Sequence, residues 1–326
     1  MSLRFSRTIV VSGLLALICL QASGSDGKRD TGSALAEKFY ERAITALQNA
    51  PPDITAGIRC LKEAVRLDPQ FARAYFRLGT AYHQAHLYHQ YSFRDYGLGV
   101  PDGKHPSEEE EALKQALQAD PNFALAYVAL GELQITDFSD AELTRRSFDA
   151  ARRMFSRAIE IDPACSSAYR SLAHSYLFQG MDEDYLEQFR KGAAIDPHIL
   201  FETNELDEFA YNHNRLDEVI EIYRAAIALN PNIPDAWWHL SRVYSHGRNY
   251  ASAIAAVQEA IRIEPNSFRN HYELAYLYLS YGDRPRAQGE YLYLKQLAES
   301  ESDATCRLVS SMLVEQLRNR VDGLPE

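Results

Sequence analysis

AIEIDPACSSAYRSLAHSY (158–176), AIALNPNIPDAWWHLSRVY (226–244) and AIRIEPNSFRNHYELAYLY (260–278) are three copies of one pattern. Each opens on Ala and carries, five residues later, a proline preceded by Asp, Asn or Glu. A Leu follows nine residues after the proline (Leu172, Leu240, Leu274), then a small residue (Ala173, Ser241, Ala275), then a Tyr at the end (Tyr176, Tyr244, Tyr278). Prolines in this setting stand at 69, 121, 163, 197, 231 and 265, at intervals of 52, 42, 34, 34 and 34. Three equal intervals make a repeat, and a repeat of this length decides the fold before any single element is considered.

The remaining copies keep the pattern. Leu78, Leu130 and Leu206 hold the Leu position, and Gly79 and Gly131 hold the small one, with Asp207 as its exception. Five residues before the prolines come Ala64, Ala116, Ala158, Gly192, Ala226 and Ala260. Large apolar residues at spacings of three and four give each helix one buried stripe, and small residues let two backbones approach closely. The proline ends one helix and begins the next unit, because it lacks an N–H and clashes with the preceding turn. The unit is therefore a pair of antiparallel helices.

These residues resemble the tetratricopeptide repeat family, whose unit of 34 residues carries this order of aromatic, Leu-Gly, Tyr, Ala, Ala and Pro. The resemblance runs over about residues 38 to 301. It implies an all-α, right-handed superhelical solenoid of about seven helix pairs closed by a polar-faced capping helix. The expected organisation is a signal peptide at 1–24, a linker at 25–34, the solenoid at 35–301 and a capping helix and tail at 302–326. Within the solenoid, an insertion occupies 86–105 and a longer helix pair 124–163. The unit that begins at Pro197 is weak, with Thr203, Asp207 and Ala210 where aromatic and small residues belong.

The insertion holds His83, His86 and His89 at steps of three, followed by a stretch rich in Gly and Pro that reads as a loop. Imidazoles along one helical extension suggest a transition-metal site, which is one reading of this segment. Steps of three rotate around the helix, however, and no Asp, Glu or Cys stands at ligand spacing beside them. Packing or partner binding is the preferred reading, and no cofactor is assigned. No Gly-rich phosphate loop, Cys-X-X-Cys, His-Glu-X-X-His or nucleophile elbow is present, so the chain reads as non-catalytic. The acidic run Glu108 to Glu111 is explained by the preference of helix starts for negative charge.

The 326 residues are 46% hydrophobic and 24% charged, a globular composition. With 34 Lys and Arg against 45 Asp and Glu, the net charge of -11 opposes nucleic-acid binding, which needs clustered cations to displace counterions. Arg4 and Arg7 precede an apolar run from Ile9 to Leu20, and Ala22-Ser23-Gly24 supplies small residues for cleavage. The run is shorter than the roughly 20 residues needed to span a bilayer, so the expectation is an exported protein with no stable membrane span. A lipoprotein reading of Cys19 is disfavoured by Ile18 where a small residue belongs. Cys60, Cys165 and Cys306, each several repeats apart, are expected to be free thiols.

The resemblance also implies a function: the first helices of successive units line a concave groove that holds a peptide of another protein. Carried over by position, the groove residues are Arg73, Phe76, His83, Arg170, His174, Phe201, Asn204, Tyr211, Trp238, Arg242, Arg269, Tyr272 and Tyr276. Chaperone-tail binders of the family use a Lys and Asn clamp, whereas the matching positions here hold Phe76 and Thr80, Arg170 and His174, or Trp238 and Arg242. The expected role is a scaffold for assembling an envelope or secretion complex.

Overall fold

The computed structural model describes residues 31–49, 52–95, 108–135, 141–201 and 204–300, together with Met312 and Glu315. The described residues are 84% helical and form 14 α-helices and no strand.

The repeated proline junction has a common construction. The backbone N–H of the residue before each proline closes the outgoing helix on the carbonyl five residues before that proline: Asp68 on Ala64, Asp120 on Ala116, Asp162 on Ala158, Asp196 on Gly192, Asn230 on Ala226 and Glu264 on Ala260, at 2.9 to 3.0 Å. In the first five, the side-chain oxygen of the same residue accepts the N–H two positions on, from Gln70, Asn122, Ala164, His198 and Asn232, at 2.9 to 3.1 Å. A short Asp or Asn side chain reaches this donor and turns the chain into the next helix. Glu264 is longer by a methylene and keeps the turn through backbone alone, Ser267 N–H to its carbonyl at 3.2 Å.

The chain forms two compact units that divide at Gln188, inside α8 (Asp182–Ile195). In the first, α1 (Thr31–Gln48) packs on α2 (Ile54–Leu67), α3 (Ala72–Asp95) on α4 (Glu108–Ala119), and α5 (Ala124–Gln134) on α6 (Ala141–Ile161), followed by α7 (Ser166–Leu177). Consecutive pairs join through α2 and α3, α4 and α5, and α6 and α7, while α5 also touches α3 and α7. In the second, α9 (Glu205–Asn212) packs on α10 (Leu216–Leu229) and α11 (Pro234–His246), α11 on α12 (Tyr250–Ile263), and α13 (Phe268–Tyr281) on α14 (Arg284–Ser300).

Close approach within a pair depends on the small residue after the repeated Leu. A methyl group on Gly131 would lie 2.5 Å from Phe155 Cε1, and one on Gly79 would lie 2.8 Å from Leu113 Cγ. Both partners are buried in the facing second helix. Ser241 fills the position differently, donating its hydroxyl to the Ala253 carbonyl at 2.8 Å.

Several sequence expectations are refined. Helix α1 begins at Thr31, inside the segment read as linker. The insertion continues α3 as a helix to Asp95, and the longer helix pair at 124–163 carries its extra residues in an α6 of 21 residues. The weak unit departs most: after Pro197 the chain forms a 3-10 turn, Pro197–Leu200, and only the eight-residue α9 follows. Ile199 and Leu200 are buried in this turn, so apolar anchoring replaces the first half of a regular helix. Phe201 and Asn204 consequently stand at the end of the turn and at the N-cap of α9, a correction to their placement on a first-helix wall.

Cys60 and Cys165 are free, and burial pushes the Cys165 thiol up, against its contacts with Ser167 and Ala168. Cys306, the segment 1–24 read as a signal peptide, the stretch Gly97 to His105 read as a loop and nearly all of the segment 302–326 read as a cap lie outside the described residues.

The glycine positions give a paired prediction. Gly131→Ala should loosen α5 and α6, because overpacking costs about 1–3 kcal/mol against about 1 kcal/mol of helix propensity regained. Gly289→Ala, at an exposed position of α14 with nothing within 4 Å, should be stabilising. Amide hydrogen exchange resolved along the chain checks both; equal effects of the two substitutions would contradict this packing.

Candidate functional site

Apart from Phe201 and Asn204, which precede α9, the side chains singled out in the sequence lie on the odd-numbered helices, and each unit presents its own set. In the first unit, the Arg73 guanidinium lies over the Tyr40 and Phe71 rings at 5.8 and 5.5 Å and pairs with Glu37 at 3.5 Å. Phe76 meets Phe123 edge to face at 5.2 Å and packs with Leu113, Ala129 and Leu130. His83 Nδ1 lies 2.6 Å from Glu109 Oε1, a buried acid in the first turn of α4. Ser171 donates its hydroxyl to Glu132 Oε1 at 2.7 Å. Burial pushes the Glu132 carboxyl up; the Ser171 hydrogen bond and the nearby Arg170, His174 and His83 oppose that rise.

The residues named in this unit thus engage groups within the chain. Glu109 and Glu132, which the sequence did not single out, are the acids that commit His83 and stand beside Arg170 and His174. Among the described residues no group of three or more His, Cys, Asp and Glu is arranged to hold a metal. His86 is exposed, and the His89 side chain lies outside the described residues.

The second unit is organised around Asp207, the one acidic residue at the repeat's small position. It is 0% exposed. Tyr223 of α10 donates its hydroxyl to Oδ1 at 2.7 Å, and His239 Nδ1 of α11 lies 2.9 Å from Oδ2. Arg242 Nη1 approaches the same Oδ2 at 3.2 Å and donates to Asn204 Oδ1 at 2.8 Å. A desolvated carboxylate is tolerated only with several donors, and three side chains here supply them. The rings of Phe201, Tyr223 and His239 stack beside them with centroids 5.7 to 6.2 Å apart, so Phe201 is part of the packing.

From this anchor a face of α9, α11 and α13 extends outward. The Arg242 and Arg269 guanidinium groups lie 4.9 and 4.5 Å from the Trp238 ring centroid, and Arg269 also pairs with Asp235. Tyr211, 62% exposed, meets His246 at 5.0 Å. Burial lowers the His246 imidazole pKa, the Arg242 charge adds to this, and Asp207 opposes it. On α13, Tyr272 stacks with Phe268 at 6.5 Å and Tyr276 is 36% exposed. Between them, burial pushes the Glu273 carboxyl up, opposed by Arg242 and reinforced by Asp207. The arrangement offers aromatic surface, cation faces and paired charge, without a nucleophile set against a base.

Restoring the repeat's usual small residue at 207 should be harmful here. Asp207→Ala leaves Tyr223, His239 and Arg242 without their acceptor, and removing one partner of a buried charge cluster costs about 3–5 kcal/mol. The figure belongs near the lower end because Arg242 is partly exposed. Protection of α9, α10 and α11 amides should fall at least 100-fold; a change under about tenfold would contradict the anchoring role.

Residues 210–268 match the family described as tetratricopeptide repeat, and residues 53–85 match that described as TPR repeat. The chain is similar to Superkiller protein 3 of Schizosaccharomyces pombe, 21% identical over 238 residues, covering 72% of this chain and 16% of that protein. It is similar also to the peroxisomal targeting signal receptor of Eremothecium gossypii, 23% identical over 256 residues, covering 67% of this chain and 44% of that one. The chain therefore spans less than half of these curated relatives' lengths. Among solved structures, Pseudomonas aeruginosa pilF aligns at 13% identity over 89% of this chain and 99% of that chain, with a TM-score of 0.46. Two separate stretches that match repeat families, in a chain of packed helix pairs with the repeat's own proline junctions, make this a tetratricopeptide-repeat protein.

Proposed function

We propose that this protein is a non-catalytic scaffold that binds a peptide segment of a partner protein on the α9, α11 and α13 face of its second unit. The observation that carries the reading is the make-up of that face. Exposed Tyr211 and Tyr276 share it with Trp238, over whose ring the Arg242 and Arg269 guanidinium groups lie, and those two cations pair with Asp207 and Asp235. Aromatic and Arg side chains dominate binding hot spots because they bury much area with little conformational freedom to lose. Bracing a guanidinium before a partner arrives lowers the ordering cost of binding. One relative is by name a receptor for a targeting signal, which accords with recognition of a short segment.

The compartment is part of the proposal. Arg4, Arg7 and the apolar run from Ile9 to Leu20 support export, and no helix among the described residues is long and apolar enough to cross a membrane. The proposed role is assembly of an envelope or secretion complex.

The test uses the full chain as bait in its native organism, with mass spectrometry of the captured proteins and of the bait's own N-terminus. Changing Trp238, Arg242 and Tyr272 together to Ala should abolish capture of a specific partner. Because Arg242 also braces the fold, a second variant, Tyr211→Ala with Tyr276→Ala, removes exposed rings only and should weaken capture at least tenfold. Undiminished capture by this folded double variant would overturn the face assignment. A bait retaining residues 1–24 in the cytoplasmic fraction would overturn the export reading.

A further inference from the structure

His271 of α13 has both ring nitrogens on acceptors. Nδ1 lies 2.7 Å from Glu290 Oε2 of α14, and Nε2 lies 2.9 Å from the Pro265 carbonyl in the α12–α13 turn. A carboxylate and a proline carbonyl have no proton to offer. A neutral imidazole has one N–H and one lone pair, so it satisfies one of these contacts and sets two lone pairs against each other in the other. Only the doubly protonated ring donates to both. Tyr293 of α14 completes the arrangement: its ring centroid is 4.4 Å from that of His271, and its hydroxyl lies 3.2 Å from both the Pro265 carbonyl and Asn266 Oδ1.

We propose that protonated His271 is a pH-sensitive latch that ties helix α14 to α13 and to the α12–α13 turn.

The surrounding charges support the geometry. From α14 the group facing His271 is the Glu290 carboxylate, with the Tyr293 ring beside it; from the turn it is the Pro265 carbonyl. The charges of α12, the half-buried Glu259 and the exposed Arg262, pair with each other at 2.7 Å, and Glu264 at its end is exposed. On α13 itself, Arg269 and Glu273 fall on the side of the helix opposite His271, because residues two apart are rotated by about 200°. Burial lowers the His271 pKa, but the hydrogen bonds to Glu290 and Pro265 and the Glu290 charge outweigh it, and the net shift is upward. A cation held this way stabilises the folded state fully below the ordinary imidazole pKa, and the stabilisation is lost as pH rises through the raised folded value.

The latch also bears on position. Arg269 and Tyr276 lie toward the face of α13 opposite His271, about 160° and 140° round the helix from it, while Tyr272 packs on the α14 side with Leu294 and Ala298, so the contacts that hold α14 on α13 also set the exposed face. This last consequence rests on the proposed function; the latch itself does not.

The experiment is amide hydrogen exchange on the full chain from about pH 5 to about pH 9, expressed as protection factors corrected for the intrinsic pH dependence of exchange. In the wild-type protein, protection of α14 amides should fall with rising pH, by up to about tenfold per pH unit, the limit for one proton, while α11 and α12 amides change little. Glu290→Gln supplies an amide N–H to Nδ1, so a neutral ring then satisfies both contacts. That variant should keep its α14 protection at high pH and lose the pH dependence. His271→Gln, which cannot titrate, should be flat with pH at the level of the deprotonated wild type. Flat α14 protection in the wild type, or an unchanged pH profile in Glu290→Gln, would overturn the proposal; the first result indicates no latch and the second a titrating group other than His271. Neither outcome depends on any binding partner, so failure here is distinguishable from failure of the peptide-binding reading.

Discussion

A helix that stops must dispose of its last carbonyls, and in this protein one solution recurs. The N–H before each repeated proline closes on the carbonyl five residues before that proline, and in five of six junctions an Asp or Asn side chain takes the next free N–H. Because proline denies the outgoing helix another donor, the turn cannot slide along the sequence. The interval between prolines then fixes the helix lengths. Two helices of fixed length, with a small residue of one set against a large side chain of the other, can lie close only in one register, and Gly79 against Leu113 and Gly131 against Phe155 show how little space is left. Junction and close contact together account for the packed pairs in each unit.

At Asp207 one helix pair gives up the close contact. A carboxylate at the small position cannot be left unpaired in a helix interface, and Tyr223, His239 and Arg242 converge on it. The pair that contains it is also the one whose first helix is shortened to eight residues and preceded by a 3-10 turn. A polar anchor and a buried Ile199 and Leu200 take over part of the apolar contact that a regular first helix makes. In the same step the anchor brings Arg242 to the surface beside Trp238, so a departure from the repeat's packing rule coincides with the best-organised exposed face of the second unit.

Local features were legible in the sequence. The proline junctions, the helix pairs, the helical continuation after His83 and the lengthened α6 all arise from patterns within a few dozen residues. The weak unit at Pro197 was visible as weak, but its 3-10 turn was not, since Phe201 and Asn204 fit the positional rule equally well. The polar clusters were hidden for a different reason. Asp207 meets partners 16 and 32 residues away, and nothing in the repeat's spacing marks Tyr223 or His239 as donors. Glu109 sits inside an acidic run that a helix start explains, yet its side chain is the buried partner of His83. Position within a repeat predicts which helix a residue lies on; whether its charge faces a partner or an inner acid depends on a neighbour supplied by another helix.

Asp207 couples the packing of the second unit to its exposed face through Arg242, and on this coupling the placement of the binding face depends. A double-mutant cycle with Asp207→Asn and Arg242→Gln, read as opening free energies of α9 and α11 amides by hydrogen exchange, measures it. Residues in one charge network couple by about 0.5–3 kcal/mol, and independent sites add to within about 0.5 kcal/mol. The expected coupling is at least about 1 kcal/mol. Additive effects of the two substitutions would contradict it.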